Sequence, residues 1–275
     1  MTTAPAVKPR PQATLTVLRT ERLSKNMVRV IAGGPGFAAF APNTFTDMYV
    51  KIHFLRPDVS YREPVDVFAL RNYMHREDWP ATRTYTIRWV NPAKGELAID
   101  FVVHGDEGLA GPWAAAARPG DRLIISGPGG AYRPNPDADW YLMAGDESAL
   151  PAIAAAVESL PTSAVGHVFL EVDGDADVQS IAAPEAVEIS WLLRSGAPAG
   201  TGTLIVDALE QTIWRPGLVD VFAHGERGYM KALRDVLFVR HGLERSQVSL
   251  SGYWASGRNE DGFQAEKKQP VGQIL

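Results

Sequence analysis

The stretch Gly127-Pro-Gly-Gly-Ala-Tyr-Arg-Pro-Asn-Pro-Asp137, followed by the apolar run Trp140-Tyr-Leu-Met-Ala144, is where the chain changes its rhythm. The first part is rich in glycine and proline and can bury little, so it reads as a boundary between two domains. Upstream, short β-branched segments recur at close spacing: 14–18, 27–31, 84–90 and 96–103, the last two joined by the hairpin-length turn Asn91-Pro-Ala-Lys-Gly95. This pattern predicts a small antiparallel barrel. One helix interrupts it at 109–117, with Pro112 in its first turn and Arg118-Pro-Gly120 as its stop. Downstream, strands at 140–144, 166–172, 187–192, 218–222 and 247–250 alternate with helices at 148–160, 201–211 and 226–241, while 166–172 is followed only by a short connector. That alternation predicts a parallel sheet covered on both faces, with ligands at the carboxyl ends of its strands. The expected organisation is an arm over 1–12, a barrel over 13–133, an α/β domain over 134–254 and a tail over 255–275.

The composition narrows the chemistry. A chain of 275 residues is long enough for two cores, and 27 lysines and arginines against 32 acids give a net charge of −5. The overall field therefore attracts neither nucleic acid nor an anionic membrane, and an anionic ligand needs a local basic pocket. There is no cysteine. Disulfides, thiolate catalysis and cysteine-held zinc or iron–sulfur clusters are excluded together, so any redox chemistry must use a bound organic cofactor. The first residues carry Pro5, Pro9 and Pro11 with no apolar stretch, which does not fit a secretory signal, and no apolar run approaches the length of a membrane span. A mobile arm and a cytoplasmic monomer are the expectations.

Four constellations can carry chemistry. Arg83-Thr-Tyr-Thr86 with Arg88 offers a guanidinium fork for a pyrophosphate, a ring to stack on a planar heteroaromatic and a hydroxyl for a ring nitrogen. A barrel strand with an exposed arginine and a half-buried tyrosine would have the same spacing. Asp100-Phe-Val-Val-His104-Gly-Asp-Glu-Gly-Leu-Ala-Gly-Pro-Trp113 runs from a strand through a glycine-rich turn into a helix start, which suits a diphosphate. Ala144-Gly-Asp-Glu-Ser-Ala-Leu-Pro151 is the first strand-to-helix turn of the second domain, a nucleotide position. Its Asp146 and Glu147 would repel phosphate, so they either cap the helix or meet ribose hydroxyls. Arg194, in Trp191-Leu-Leu-Arg194, and the Val221-Phe-Ala-His224-Gly-Glu226 segment each end a strand at the same expected sheet edge. Arg194 is a candidate for a cofactor phosphate or a solvated surface cation.

In combination, Arg83-x-Tyr85-Thr86-x-Arg88, Asp100-Phe-Val-x-His104-Gly ending in Trp113-Ala114, Ala144-Gly-Asp-Glu-Ser-Ala-Leu-Pro151 and Ser251-Gly-Tyr-Trp254 resemble the siderophore-interacting protein family. These are flavin-dependent ferric-siderophore reductases of the ferredoxin–NADP reductase superfamily, and the resemblance spans about Thr14 to Trp254. It implies an antiparallel Greek-key FAD-binding barrel followed by an α/β NADPH- or NADH-binding domain with a parallel sheet. In that frame Arg83 binds the FAD pyrophosphate, Tyr85 packs on the isoalloxazine and Thr86 sits near flavin N5, making Tyr85 and Thr86 the catalytic pair. Thr84, Asp100, Phe101, Val102, His104, Ala110, Gly111, Trp113 and Ala114 complete the FAD site. Gly145, Asp146, Glu147, Ser148, Arg194, Gly225 and Glu226 face the nicotinamide nucleotide, and Tyr253 and Trp254 lie at the cleft between the domains.

The implied reaction is reduction of a ferric siderophore with release of Fe(II), the donor being NADH, NADPH or a reduced ferredoxin; no resident metal is implied. Relatives carry basic residues in the barrel and just after the Gly-Tyr-Trp motif. Lys51 matches the barrel position, but Ala255 and Ser256 follow Trp254 here. Arg258, Lys267 and Lys268 of the tail are substitutes for the missing substrate-binding cations, unless the tail is simply a solvated terminus. The loop 61–81, with Arg62, Arg71, His75 and Arg76 among Tyr61, Phe68, Tyr73 and Trp79, is either a lid over an aryl chelate or a long polar connection. Two other readings compete: a flavin reductase serving a protein or quinone acceptor, and a siderophore carrier without catalysis.

Overall fold

The computed structural model describes residues 11–105, 108–267 and 269–275. The expected arm lies outside these residues except for Pro11 and Gln12, and Gln12 already opens the first strand. Six strands close a barrel: β1 (Gln12–Ser24), β2 (Met27–Gly33), β3 (Tyr49–Phe54), β4 (Ala81–Asn91), β5 (Glu96–Val102) and β6 (Arg122–Gly129), in the order β1-β2-β5-β4-β3-β6 with antiparallel neighbours. On β3, Val50, Ile52 and Phe54 point inward while Tyr49, Lys51 and His53 point outward, the period of two that a half-buried strand requires. The helix α1 (Ala110–Ala116) packs at one end of the barrel, where Trp113 meets Phe54 and Phe101 at ring-centroid distances of 5.5 and 5.6 Å.

The chain then enters β7 (Trp140–Gly145), and its second sheet runs β11-β10-β7-β8-β9 with every pairing parallel. Here β8 is Val165–Val172, β9 Ala186–Leu193, β10 Val219–Glu226 and β11 Val248–Trp254. Helix α2 (Leu150–Glu158) covers one face, burying Ile153 and Val157 with Met143, Leu170 and Phe222; helices α3 (Leu204–Gln211) and α4 (Arg227–Arg234) cover the other, with Leu209 and Met230 against Leu142 and Val221. After α4 the chain widens into a π-helical turn, Asp235–Arg240, where a single regular helix was expected. Because β8 and β9 are laid down on one side of β7 and β10 and β11 on the other, the strand order reverses between β7 and β10. A crevice at that switch point is the usual ligand position in such sheets.

Two expected features turn out differently. The tail is not a solvated terminus: α5 (Glu260–Glu266) docks through Phe263, which is 1% exposed, and the chain end returns over the edge strand β11, with Ile274 packed at Gly252. The loop 61–81 is pinned rather than free, since Val65, Val67 and Leu70 are buried against Ile124 and the Gln12 side chain bonds the Val65 carbonyl and the Val67 N–H. No helix among the described residues is long and apolar enough to cross a membrane.

On the outer face of the barrel, Asp100 accepts a bidentate pair from Arg29 at 2.6 and 2.8 Å, and its side chain has no exposure. Removing one partner of a buried pair strands the other charge. Asp100→Ala should therefore lower the unfolding free energy by about 3 kcal/mol, read as a shift in the urea midpoint, whereas Glu96→Gln, which loosens only the exposed Arg19 contact, should stay within about 0.5 kcal/mol of the parent.

Candidate active site

Strand β4 supplies the spine of the site. Its half-buried Arg83 donates to the Thr82 carbonyl at 2.8 Å and lies 4.0 Å from Asp261 of α5. The Thr84 hydroxyl accepts from the Lys51 ammonium across the β3–β4 pair and donates to Glu260 at 3.3 Å. Tyr85 lies on Phe101 with ring centroids 4.4 Å apart, and burial, reinforced by the Glu260 charge, pushes its phenol up to about 12. Thr86 is buried and its side chain stands beside the Tyr253 phenol of β11, whose pKa is raised, chiefly by burial. A cavity of about 250 Å³ opens beside Ile52, the register partner of Arg83, and is bounded by His53, Phe54, Leu109, Trp113 and Leu123.

The second expected FAD segment divides into two roles. Asp100 is committed to Arg29, and Phe101 is fully buried under Tyr85, so these two side chains build the barrel instead of lining a ligand face. Val102 packs toward the α/β domain, and its carbonyl fixes Gly111: a Cβ there would stand 2.9 Å from that oxygen. Ala110 and Ala114 are buried, Trp113 is part of the barrel-end aromatic cluster, and His104 is exposed just past β5. Asp106 and Glu107 lie outside the described residues.

At the carboxyl edge of the parallel sheet the predicted nucleotide residues converge on one carboxylate. Asp146 accepts from the Ser148 N–H and hydroxyl at 2.9 and 2.5 Å, from the Glu226 N–H at 2.8 Å and from the Trp254 indole at 2.8 Å. Burial still raises its pKa, and the four donors oppose that shift. Gly225, at φ 151°, is needed here, because a Cβ would meet the Asp146 carboxylate at 2.8 Å. Glu226 caps α4 through the Gly228 and Tyr229 N–H groups and also accepts from the Ser256 N–H at 3.0 Å.

Arg194 does not stand open for a phosphate. Its guanidinium forks onto Glu147 with two 2.8 Å bonds and lies 3.5 Å from Glu171, with 8% of the side chain exposed. Glu147 is therefore a clamp between strand ends, also accepting from the Asp173 N–H at 3.0 Å. Of the expected substrate cations, Lys267 has its pKa lowered chiefly by burial, with the nearby Lys51 ammonium adding to the shift; Arg258 instead pairs with Glu266 at 2.5 Å. Lys268 is outside the described residues. The Glu260–Thr84 contact was not anticipated from the sequence, although Asn259 followed by Glu260-Asp261 and then Phe263 is a legible helix start.

Residues 138–257 match the family model described as siderophore-interacting protein, and residues 16–132 match the siderophore-interacting FAD-binding domain. The ferric vibriobactin reductase ViuB of Vibrio cholerae is 34% identical over 255 residues, covering 92% of this chain and 93% of its own. The chain belongs to the siderophore-interacting protein family. A siderophore utilization protein from T. fusca has a solved structure that superposes with a TM-score of 0.79 at 38% identity, covering 91% of this chain and 95% of that one. The NADPH-dependent ferric-chelate reductase of Escherichia coli is 32% identical over 208 residues, 74% of this chain and 80% of its own. The Amycolatopsis cytochrome P450 reductase GcoB, at 17% identity and TM-score 0.65 over 89% of this chain and 71% of its own, shows that the fold is ferredoxin reductase-like. The donor set fits FAD: from Arg83 to Thr86, β4 presents a half-buried cation, a hydroxyl, a ring and a second hydroxyl in consecutive positions.

One buried acid gives this edge a pH signature. Glu171 has no exposure, its Oε2 has no hydrogen-bond partner, and burial, opposed by Arg194, moves its pKa from 4.5 up to about 7. A carboxyl that holds its proton more tightly in the native state contributes stability below about pH 4.5 that is lost as pH rises through about 7. Glu171→Gln should therefore melt above the parent at pH 8, with the gap closing toward pH 5. Thermal melts across this range check it, and a gap independent of pH would contradict it.

Proposed function

We propose that the protein is an FAD-dependent reductase of ferric siderophores, oxidising NADH or NADPH and delivering single electrons to Fe(III) with release of Fe(II). The observation that carries this reading is the Thr86–Tyr253 contact. It joins the strand suited to a flavin directly to the carboxyl edge of the sheet suited to a nicotinamide nucleotide. The names of the relatives, a ferric vibriobactin reductase and an NADPH-dependent ferric-chelate reductase, support the acceptor and the donor class.

FAD, when bound, supplies the conversion of a two-electron hydride donor into one-electron steps, so one nicotinamide reduces two ferric ions. The residues have distinct tasks around it. Arg83 would neutralise the pyrophosphate, Tyr85 would pack beside the ring system, and the Thr86 hydroxyl would hydrogen-bond its edge. Tyr253 closes the same edge against water, and Trp254, held by Asp146, fixes where Tyr253 stands. The turns Gly145–Ser148 and Gly225–Glu226 would flank the nucleotide, Asp146 ordering both through backbone N–H groups. Lys51 and Lys267 would gather the chelate. Siderophores hold Fe(III) with hard anionic oxygens and bind Fe(II) far more weakly, so reduction opens the chelate without a general acid at iron.

Two measurements test the proposal. Under anaerobic stopped flow, NADH or NADPH should bleach bound FAD, and a ferric siderophore should restore its colour; reduction by reduced ferredoxin alone would reassign the donor. A purified protein that is colourless and does not bind added FAD would overturn the reading. Arg83→Ala should weaken FAD retention by about 10- to 100-fold, the loss of one charge-assisted contact worth about 1.5–3 kcal/mol. Equilibrium dialysis reads this directly, and unchanged affinity would remove Arg83 from the site.

A further inference from the structure

We propose that Glu260 sets the charge of the chelate this site accepts, favouring ferric complexes of low net charge over trianionic ones. The inference rests on the reductase reading above and adds the substrate class. Glu260 is built into the site, not draped over it. Asn259 caps α5 by accepting from the Gly262 N–H at 2.8 Å, and buried Phe263 anchors the helix one turn on. From that base the Glu260 carboxylate accepts from Thr84 at 3.3 Å and from the Gln264 amide at 3.0 Å.

The consequence is electrostatic. Thr84 is the residue that also holds the Lys51 ammonium, and the Lys267 ammonium lies 4.7 Å over the Phe263 ring, within reach of the Glu260 charge. Two lysines are thus partly neutralised by one carboxylate at the place where the chelate would dock. Next to it, Asp261 stands 4.0 Å from Arg83. A tris-catecholate complex of Fe(III) carries three negative charges and meets Glu260 as a repulsive neighbour. A tris-hydroxamate complex is neutral and loses little. Like charges a few Å apart in a partly desolvated site discriminate strongly, so this one side chain can set preference by repulsion as well as attraction.

Gallium(III) chelates have the charge and shape of the ferric ones but are not reduced, so binding can be read without turnover. The FAD-loaded protein, as parent, Glu260→Gln and Glu260→Asp, is titrated with a neutral Ga(III) tris-hydroxamate and a trianionic Ga(III) tris-catecholate at about 50 mM and about 500 mM salt. The parent is expected to bind the neutral complex more tightly. Glu260→Gln should shift the ratio of the two affinities about tenfold toward the trianion at low salt, less at high salt, and Glu260→Asp should return it toward the parent. An unchanged ratio in Glu260→Gln, or a parent that already prefers the trianion at low salt, overturns the proposal. If neither complex binds and neither ferric counterpart is reduced, the reductase reading falls, and the charge selection with it.

Discussion

A single buried carboxylate organises the carboxyl edge of the second sheet. Asp146 follows β7 and takes donors from the turn after itself, from the start of α4 and from the indole that ends β11. Three strand ends on both sides of the switch point are therefore tied to one side chain. Trp254 is fixed by that tie, Tyr253 by being next to it, and Tyr253 in turn meets Thr86 on the barrel. Removing the carboxylate would leave these donors without their shared acceptor in a buried place, where unsatisfied groups are costly. Through this chain of contacts the barrel strand β4 meets the carboxyl edge of the sheet, and the Arg88–Glu158 pair ties the same strand to α2.

Much of this architecture was legible because the sequence obeys simple periods. The change from close-spaced β-branched segments to strand–helix alternation falls between Gly129 and Trp140, where the barrel ends and the sheet begins. The residues of β4 and the turns at Gly145 and Gly225 were also recognisable as a set. What could not be read was which charged groups would find each other. Asp100 and Arg29 are far apart in sequence and adjacent only because β2 pairs with β5. Arg194 meets Glu147 only because β7, β8 and β9 are neighbours. A motif names a residue type at a position; the register of the sheet decides whether its charge is available.

The tail shows the same limit in another form. Alternating charges at Arg258, Glu260, Asp261, Glu266 and Lys267 have the composition of a solvated segment, yet Phe263 and Ile274 hold it down. Once docked, its charges become part of the site's potential. A protein of net charge −5 must place positive charge locally to handle an anionic metal complex. Here that local charge is moderated by the same helix that contributes half of it.

The placement of α5 has a consequence for the order in which the molecule is made. Strand β1 pairs with β6, so the barrel can close once residues up to Gly129 have emerged. The helix that faces Thr84 and Arg83 comes in sequence only after β7 to β11, so it can meet them only once those residues have been made. A nascent chain can therefore hold a complete barrel while the wall that would meet the chelate is still missing. The barrel side of the proposed site is therefore made well before the helix that faces it, and the two meet only once the sheet strands between them in sequence have been synthesised.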